Sequence, residues 1–356
     1  MDPHRRRGVH GYSTAGTWSR LAWRAAEMAI EIGTALPKDA VHALWRGRTL
    51  RRLEAGRDPQ LQARSVALFV HYSATGRVSE MVLRQVHLLA EEGFAVVFIT
   101  MADSIAESDW RAVRDVAALV AHRRNFGRDF GAWHDLIDEA RQRWPEAEEL
   151  MLVNDSMLGP IRCPRLDFAA LRQGGAGLFG LTESLQGGPH LQSYLLLARG
   201  RAAVDDLARF LTAFRPSQSK WLVVKRGELR LARWMRTRGH RVAALFGYQR
   251  LLDAALSDPA ELAQLSGSHP LLREIEALPP RERAALLQAH PLNPTQHLWV
   301  ALVRKLGFPF LKTELVRRNP GQLPNVDTWP TLVPQDAPCP ATVIRAHLES
   351  LDSSVR

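Results

Sequence analysis

Cysteine is scarce in this sequence, and long apolar runs are missing from it. The two cysteines, Cys163 and Cys339, lie far apart, which gives neither a metal-site spacing nor a disulfide framework and indicates reduced thiols. No window approaches the ~18 consecutive apolar residues of a membrane-spanning helix. Glu27 and Glu31 interrupt the nearest candidate, which argues against a signal peptide. The sequence therefore predicts a cytoplasmic protein, either soluble or lying on the inner face of the plasma membrane.

The bulk composition is that of a globular protein with an excess of positive charge. The 356 residues are 46% hydrophobic and 24% charged, a mixture that can bury a core and excludes a disordered chain. The formal net charge of +10 favours anionic partners, namely nucleic acid, nucleotide phosphates or an acidic membrane face. No nucleic acid is expected, because the basic residues are spread along the chain and no module with stacking aromatics is recognisable.

The chain divides into three regions by pattern. Residues 1–62 are predicted to form a basic helical N-terminal extension, with one helix that ends at Pro37 and a second over residues 41–54. Residues 63–250 alternate apolar runs with helical patterns and are predicted to form an α/β domain. Residues 251–356 are mostly helical and are expected to complete the site.

The central region predicts a parallel sheet. Short continuous apolar runs occur at residues 66–70, 94–99, 118–120 and 150–153. Helical patterns separate them, at residues 78–91, 109–115 and 129–143. This alternation is typical of an α/β fold with a doubly wound, mostly parallel sheet covered on both faces. Further along, strands are expected at residues 178–181 and 191–197, and helices at residues 202–212 and 228–237.

Polar residues follow the predicted strands. Ligands of open α/β sheets bind beyond the carboxyl ends of the strands, so these residues share one rim. His71 follows the first strand, and Asn154-Asp155-Ser156 follows the fourth. The triplet places a carboxylate and two hydrogen-bonding side chains at a strand end, but it is equally typical of a helix cap and turn. Its spacing alone leaves both interpretations open.

A basic loop with two glycines precedes the helix predicted at residues 129–143. Gly127 and Gly131 permit close approach of the backbone to a ligand, and the helix N-terminus attracts phosphate. Arg124 and Arg128 add charge-assisted donors. Taken alone, these residues are more typical of an ordinary basic turn.

Several blocks in the same order together resemble the rhamnan synthesis protein F family. They are NFGRDFGAW at 125–133, LVNDS at 152–156, GLT at 180–182, HLQSY at 190–194, NPT at 293–295, GFPFLK at 307–312 and RNP at 318–320. The resemblance covers about residues 65–329, so the N-terminal sixty residues lie outside it. Agreement of several blocks is far more specific than any single motif.

The resemblance implies a GT-A-like glycosyltransferase, most closely a rhamnosyltransferase. Such an enzyme would move a sugar, with inversion, from a nucleotide-diphosphate donor such as dTDP-rhamnose to a lipid-linked acceptor in cell-surface polysaccharide or lipopolysaccharide O-antigen biosynthesis. In GT-A enzymes an Asp-x-Asp element holds a divalent cation on the donor diphosphate. The matching element here has the single carboxylate of Asp155 as metal ligand, so dependence on Mg²⁺ or Mn²⁺ stays open.

The resemblance and the strand-end argument together define the expected ligand contacts. The candidate donor-binding residues are His71, Arg124, Asn125, Gly127, Arg128, Gly131, Asn154, Asp155, Ser156 and Lys312. The candidate contacts to the acceptor or the sugar are Thr182, His190, Gln192 and Ser193. Cationic side chains would stabilise the departing diphosphate, although lysine and arginine are more often solvated. For His190 a buried core position is the alternative.

Inversion also requires a base for the acceptor hydroxyl. Glu228 is one candidate, because it follows a glycine at a predicted helix start. Acidic residues are favoured in the first turn of any helix, so a purely structural role is open. Asp129 is the other candidate, and its alternative role is to hold the donor sugar.

Two other interpretations remain at this point. The single carboxylate of the Asn154-Asp155-Ser156 element is compatible with a non-catalytic protein that binds a nucleotide sugar or scaffolds a polysaccharide assembly complex. Residues 1–60 are either an amphipathic surface in peripheral contact with a membrane or a helical cap whose arginines lie in solvent.

Overall fold

A computed structural model describes residues 14–44, 49–268 and 272–352. The strands are β1 (Leu50–Ala55), β2 (Ser65–His71), β3 (Ala95–Thr100), β4 (Leu119–Arg123), β5 (Glu149–Asn154), β6 (Met157–Leu158), β7 (Gly177–Ser184), β8 (His190–Leu191), β9 (Leu195–Arg199), β10 (Arg241–Phe246) and β11 (Leu311–Lys312). The helices are α1 (Thr14–Leu44), α2 (Glu80–Glu91), α3 (Glu107–Arg114), α4 (Arg128–Arg143), α5 (Arg165–Gln173), α6 (Arg201–Thr212), α7 (Lys220–Arg226), α8 (Glu228–Thr237), α9 (Tyr248–Leu256), α10 (Pro259–Ser268), α11 (Pro280–Ala289), α12 (Pro294–His297), α13 (Trp299–Arg304), α14 (Thr313–Arg318) and α15 (Ala341–Asp352).

The central sheet has the strand order β1-β4-β3-β2-β5-β9-β7-β10, with β8 paired to β7. The strands β4, β3, β2 and β5 are parallel to one another, and β7 is parallel to β10. Antiparallel pairing is confined to β1, β8 and β9. The predicted α/β class with a mostly parallel sheet is therefore confirmed, and the central strands are the continuous apolar runs of the sequence.

Both faces of the sheet are covered. Along β2, Phe69 belongs to a core cluster that includes residues of α2 and α9. Its neighbours Leu68 and Val70 belong to a second cluster with residues of α4 and α6. Successive strand side chains point to opposite faces, so an apolar run without alternation can supply two cores at once. Full burial of each such side chain contributes about 1.5–3 kcal/mol.

The N-terminal region departs from two predictions. The first helix, α1, continues through Pro37 to Leu44, whereas we expected it to end at the proline. Proline removes one helical hydrogen bond, but α1 is held to the protein near Pro37 by buried Ala35 and by the hydrogen bond that Asp39 accepts from the backbone N–H of Gln218. Residues 50–55 are the edge strand β1, antiparallel to β4, and not the end of a second helix. Pairing with the sheet edge overrides local helix propensity there.

The C-terminal region is attached to the sheet close to the end of β5. The short strand β11 pairs with β6, with Lys312 opposite Met157. The backbone N–H of Thr313 donates to the carbonyl of Ser156 at 3.0 Å. A third core cluster, which includes Leu158 and Leu311, holds these segments together. Lys312 is thereby fixed beside the polar strand end.

Across residues 14–44, 49–268 and 272–352, no helix combines the length and the apolar character needed to cross a membrane.

The loop between β4 and α4 is held by a buried arginine. The Arg123 guanidinium has no exposed surface, and it donates to Asp135 at 2.8 Å and to the carbonyl of Phe126 at 2.9 Å. Gly131 lies against the same carbonyl, since an added Cβ would stand 2.3 Å from the Phe126 oxygen. Gly131 is therefore a packing residue that brings the loop onto the first turn of α4.

We predict that Gly131→Ala destabilises the protein by up to about 2 kcal/mol in urea unfolding. Alanine gains about 1 kcal/mol of helix propensity, but overpacking against a fixed backbone oxygen costs about 1–3 kcal/mol. Gly33→Ala in α1 is the matched control, because an added Cβ there has nothing within 4 Å, and it should be neutral or stabilising. Equal effects of the two substitutions would contradict this packing role.

Candidate functional site

A cavity of about 450 Å³ lies beyond the carboxyl ends of β2 and β5, which is within the usual size range of small-molecule sites. Six segments contribute to it: the end of β2, the β5–β6 turn, the first turn of α4, the β8–β9 connection with α7–α8, β11–α14, and α15. Its polar lining residues include Tyr72, Arg128, Asp129, Asn154, Asp155, Ser156, Gln192, Ser193, Lys220, Glu228, Lys312, Glu314, Arg317, Arg318 and His347.

The Asn154 side chain ties the end of β5 to α4. Its Nδ2 donates to Oδ2 of Asp129 at 2.6 Å, and its Oδ1 accepts from the backbone N–H of Ser156 at 3.1 Å and from Ser156 Oγ at 2.5 Å. Asp155 Oδ2 accepts from the backbone N–H of Tyr72 at 2.8 Å. The triplet is therefore a turn, as one interpretation expected, and it also lines the cavity.

Asp129 and Asp155 are half-buried carboxylates whose protonation is shifted towards neutral pH. Burial raises the pKa of Asp129 to about 6, against the hydrogen bond from Asn154. Burial also raises the pKa of Asp155 to about 7, and the nearby charge of Asp129 adds to the rise. Both pKa values are raised because nearby positive charge in the protein does not compensate for the burial of the ionised carboxylate.

Glu228 faces the cavity from the first residue of α8. Its Oε1 accepts from the backbone N–H of Ser193 at 2.8 Å, which fixes its position against the β8–β9 connection. Gly227 before it is in close contact with α4, because a Cβ there would stand 2.8 Å from the Phe130 ring. Glu228 therefore lines one cavity together with three other carboxylates, Asp129, Asp155 and Glu314.

Four cationic side chains line the same cavity: Arg128, Lys220, Lys312 and Arg318. Among the described residues, none of them has a hydrogen bond or ion pair to a protein carboxylate. Burial lowers the pKa of Lys312, opposed by the charges of Glu314 and Glu228. Arg317 differs, because it is paired with Asp352 at 2.6 Å. Four cations without partners around a concave surface favour a strongly anionic ligand.

The predicted strand at residues 191–197 is interrupted at the site. The strands β8 and β9 leave Gln192 and Ser193 in the connection between them, where both line the cavity. Thr182 and His190 lie outside it. Thr182 Oγ1 donates to Gln192 Oε1 at 2.7 Å, and so supports a lining residue from beneath. His190 is buried and bonded to the carbonyl of Gly188 at 2.8 Å, the core position that was its alternative.

His71 does not reach the cavity, contrary to the prediction. Its side chain is 2% exposed and lies 3.1 Å from Thr100 Oγ1 through Nδ1. Burial lowers its pKa to about 3, so the ring is neutral at physiological pH. It packs on Phe98, with ring centroids 5.3 Å apart. The residue that reaches the site from this strand end is its neighbour Tyr72, through its backbone N–H.

The glycines and basic residues of the β4–α4 loop separate into two groups. Arg128 lines the cavity, whereas Arg124 and Asn125 line a different one, of about 610 Å³, next to α1. Gly127 has φ +76°, and a Cβ there would stand 2.6 Å from Pro216 Cβ. Gly127 and Gly131 are absent from the cavity lining and serve the packing of the loop, not close approach of a ligand.

A divalent cation fits this cavity only with help from a ligand. Within the described part of the chain, no three His, Cys, Asp or Glu side chains are grouped as a metal site. Asp155 and Asp129 offer carboxylate oxygens from two sides of Asn154, and both are short of positive charge. Such a pair can hold Mg²⁺ or Mn²⁺ when phosphate oxygens and water complete the coordination.

Lys220, Glu314 and Arg318 were not predicted. Lys220 follows Ser219, whose side chain accepts from the backbone N–H of Leu222 at 3.2 Å and caps α7. A serine before a helical segment is a usable cap signal, but it does not tell which ligand the next lysine meets. Arg318 belongs to the RNP block of the family resemblance, but the sequence did not assign it a contact to the ligand.

Comparison with known proteins gives distant matches. No family model matches the chain. It is 26% identical over 242 residues to the virulence protein VirA of Vibrio anguillarum, covering 65% of this chain and 72% of VirA. It is 28% identical over 196 residues to the uncharacterized protein y4gN of Sinorhizobium fredii, covering 53% of this chain and 50% of y4gN. Neither name states an activity, so the resemblance to rhamnan synthesis protein F stays a prediction.

Among solved structures, one match is the mannosyltransferase PcManGT from Pyrobaculum calidifontis in complex with GDP-Man and Mn²⁺. The TM-score is 0.35 at 15% identity, over 92% of this chain and 96% of that chain. A likeness of this size establishes neither a shared fold nor a shared activity.

We predict that Asp129→Asn is more stable than wild type in the absence of ligand, and that the difference in stability grows as pH rises. The folded-state pKa of about 6 lies above the ordinary value near 4, so protonated Asp129 suits the fold and its ionisation costs stability between about pH 4 and pH 6. The variant should match wild type near pH 4 and melt about 2 °C or more higher near pH 8. Exposed Asp336→Asn is the control. A melting difference independent of pH would contradict the shift.

Proposed function

We propose that this protein is a glycosyltransferase that transfers a sugar from a nucleoside-diphosphate donor. One observation carries the proposal: a single cavity at the carboxyl ends of parallel strands brings four carboxylates together with four cations that form no ion pair with any described residue. Unpaired cations suit a diphosphate, and carboxylates suit sugar hydroxyls, a proton transfer and a metal ion. The sequence resemblance supports the same class, with a GT-A-like arrangement.

The cations would stabilise the leaving group. When the bond between the anomeric carbon and the diphosphate oxygen breaks, negative charge grows on that oxygen. Arg128, Lys220, Lys312 and Arg318 surround the space in which a diphosphate fits. Preorganised positive groups in a partly desolvated site stabilise such charge more than water does. Lys312 is the strongest candidate, because it is half-buried and its position is fixed by the β11–β6 pairing.

Glu228 is the favoured base. Ser193 anchors one carboxylate oxygen, and Glu228 lines the cavity beside the β8–β9 connection. In an inverting step, Glu228 takes the proton of the acceptor hydroxyl while that oxygen bonds to the anomeric carbon and the diphosphate departs. Asp129, held by Asn154, then serves as an acceptor of sugar hydroxyl hydrogen bonds.

Asp155 would hold a divalent cation whose chemistry would be to neutralise charge on the donor diphosphate. This residue fits that role best when the diphosphate itself supplies further oxygens. The cationic side chains reduce the dependence on the metal, because they act on the same charge.

The donor sugar and the acceptor belong to the finer part of the proposal. Rhamnose from dTDP-rhamnose, and a lipid-linked precursor of cell-surface polysaccharide as acceptor, are supported by the resemblance of residues 65–329. A panel of dTDP-, UDP- and GDP-sugars, each assayed for release of the nucleoside diphosphate with and without acceptor glycans, would test donor choice directly.

We predict that Glu228→Gln lowers kcat by about 10²-fold or more, the usual contribution of a general base. Donor binding should change by less than about threefold, since the amide keeps the size of the side chain and can still accept from Ser193. Asp336→Asn is the matched control with full activity. Turnover that survives Glu228→Gln but is lost in Asp129→Asn would instead assign the base to Asp129.

The alternative is a non-catalytic protein that binds a nucleotide sugar, and the same measurements distinguish it from a glycosyltransferase. It would bind donors in calorimetry, lose that binding in cavity variants, and show no turnover with any donor and acceptor pair. A protein that binds no nucleoside diphosphate or nucleotide sugar at all would overturn both readings.

We predict that Lys312→Met weakens binding of the donor's nucleoside diphosphate by roughly 10- to 100-fold. A hydrogen bond to a charged group contributes about 1.5–3 kcal/mol, which corresponds to that range. Arg250→Gln, an exposed change remote from the cavity lining, should have no effect. Calorimetry at two salt concentrations gives the check, since loss of one ion contact should also reduce the salt dependence. Unchanged affinity would remove Lys312 from the site.

A further inference from the structure

The exposed side of α1 is apolar over residues 26–44. Four large hydrophobic side chains, Ile30, Leu36, Val41 and Leu44, are 66%, 52%, 57% and 84% exposed. The exposed small residues beside them are Ala26, Ala29, Gly33, Pro37, Ala40 and Ala43. Positions 26, 30, 33, 37, 40 and 44 follow the spacing of one helical stripe. We call these ten residues the apolar face of α1, and an exposed apolar surface of this kind marks an interaction site.

The orientation of α1 is fixed by its polar side. Glu31 Oε1 accepts from Ser219 Oγ at 2.7 Å and from the backbone N–H of Trp221 at 3.1 Å. Asp39 Oδ1 accepts from the backbone N–H of Gln218 at 2.9 Å. The helix thus turns two carboxylates towards the protein and its apolar face outwards, the reverse of the usual surface helix.

A basic cavity borders the apolar face. It has a volume of about 610 Å³, and its lining includes Pro37 and Val41 of the face together with Lys38, Arg124 and Asn125. None of the described residues that line it carries a carboxylate. Lys38 and Arg124 are exposed, and neither side chain has a hydrogen bond or ion pair to the described residues. An anion-binding cavity therefore lies directly beside an apolar helical surface.

We propose that the apolar face of α1 lies on an anionic lipid membrane, with Lys38 and Arg124 on the phosphate of a phospholipid headgroup. An apolar helix face enters the boundary between headgroups and acyl chains, and cations beside it bind anionic lipid. The phosphate would accept from the guanidinium of Arg124 and the ammonium of Lys38. This proposal does not depend on whether the cavity at the strand ends transfers a sugar.

Charge favours a membrane over a second copy of the chain. The net charge is +10, and arginines flank α1 in the sequence on both sides, at Arg5-Arg6-Arg7 and at Arg46 and Arg48. Two such surfaces brought face to face would repel. Among residues 26–44, Glu27 is the one exposed carboxylate that a partner's basic cavity would meet, since Glu31 and Asp39 are already bonded to the segment before α7.

The test is co-sedimentation of the full chain with phosphatidylcholine vesicles and with vesicles that also contain phosphatidylglycerol. Wild type should bind the anionic vesicles and bind the neutral ones more weakly, with an affinity that falls as salt rises. Ile30→Ser/Val41→Ser should lower binding to the anionic vesicles by about tenfold or more. The control is Leu61→Ser, which changes a residue 57% exposed outside the face.

Lys38→Gln/Arg124→Gln should lower binding to the anionic vesicles by about tenfold and leave binding to the neutral vesicles unchanged. Arg250→Gln is its matched control. All of these side chains are exposed, so melting temperatures should equal that of wild type and exclude unfolding as the cause of a loss.

Three results would overturn the proposal. The first is that wild type sediments with neither kind of vesicle. The second is that Leu61→Ser loses as much binding as Ile30→Ser/Val41→Ser. The third is a dimer in sedimentation equilibrium that Ile30→Ser/Val41→Ser dissociates while vesicles bind no protein, which would assign the face to a second copy. Loss of donor turnover in the assays above would leave vesicle binding intact, so the two proposals fail separately.

Discussion

The side-chain amide of Asn154 joins the two segments that form the floor of the cavity. Its Nδ2 donates to Asp129 in the first turn of α4, and its Oδ1 accepts both donors of Ser156 in the turn after β5. Asp155 is held between these contacts and the backbone N–H of Tyr72 at the end of β2. One amide thus sets the distance between two carboxylates that come from different elements. A change at Asn154 would move both of them.

Burial shifts the pKa values of acidic and basic groups in the cavity in opposite directions. It raises the pKa of Asp129 and Asp155 and lowers that of Lys312. Each shift disfavours the charged form, and among the described residues the acids of the cavity form no ion pair with Arg128, Lys220, Lys312 or Arg318. A ligand that carries phosphate, accompanied by a cation, would relieve both kinds of cost at once. Relief of this cost on binding would therefore contribute to the affinity for such a ligand.

The strands of the parallel core could be predicted, because a strand buried on both faces has to be a continuous apolar run. The end of β5 could be placed for the same reason, since Asn154 is the first polar residue after such a run. The edge strand β1 could not, because its residues have no apolar run and are strand-like only when paired with β4.

The predicted contact residues that lie outside the cavity share a physical explanation. His71 was assigned to a ligand because it follows a strand, and His190 because its run alternates polar and apolar residues, but the direction in which each side chain points depends on the local register. Gly127 and Gly131 satisfy packing against Pro216 and Phe126, contacts that no local pattern reveals. Lys220 and Arg318 reach the cavity through helices distant in sequence. Long-range contacts decide these positions, and a single sequence does not contain them.

A short path connects α1 to the cavity. Glu31 caps the start of α7 through Ser219 and Trp221, and Lys220 between them lines the cavity. The two bonds of Glu31 hold the apolar face of α1 and the cavity cation in a fixed relation. A chain attached to a membrane by that face would therefore present the cavity in one orientation to whatever the membrane carries. The hydrogen bonds of Glu31 and Asp39 on the polar side of α1 fix that orientation.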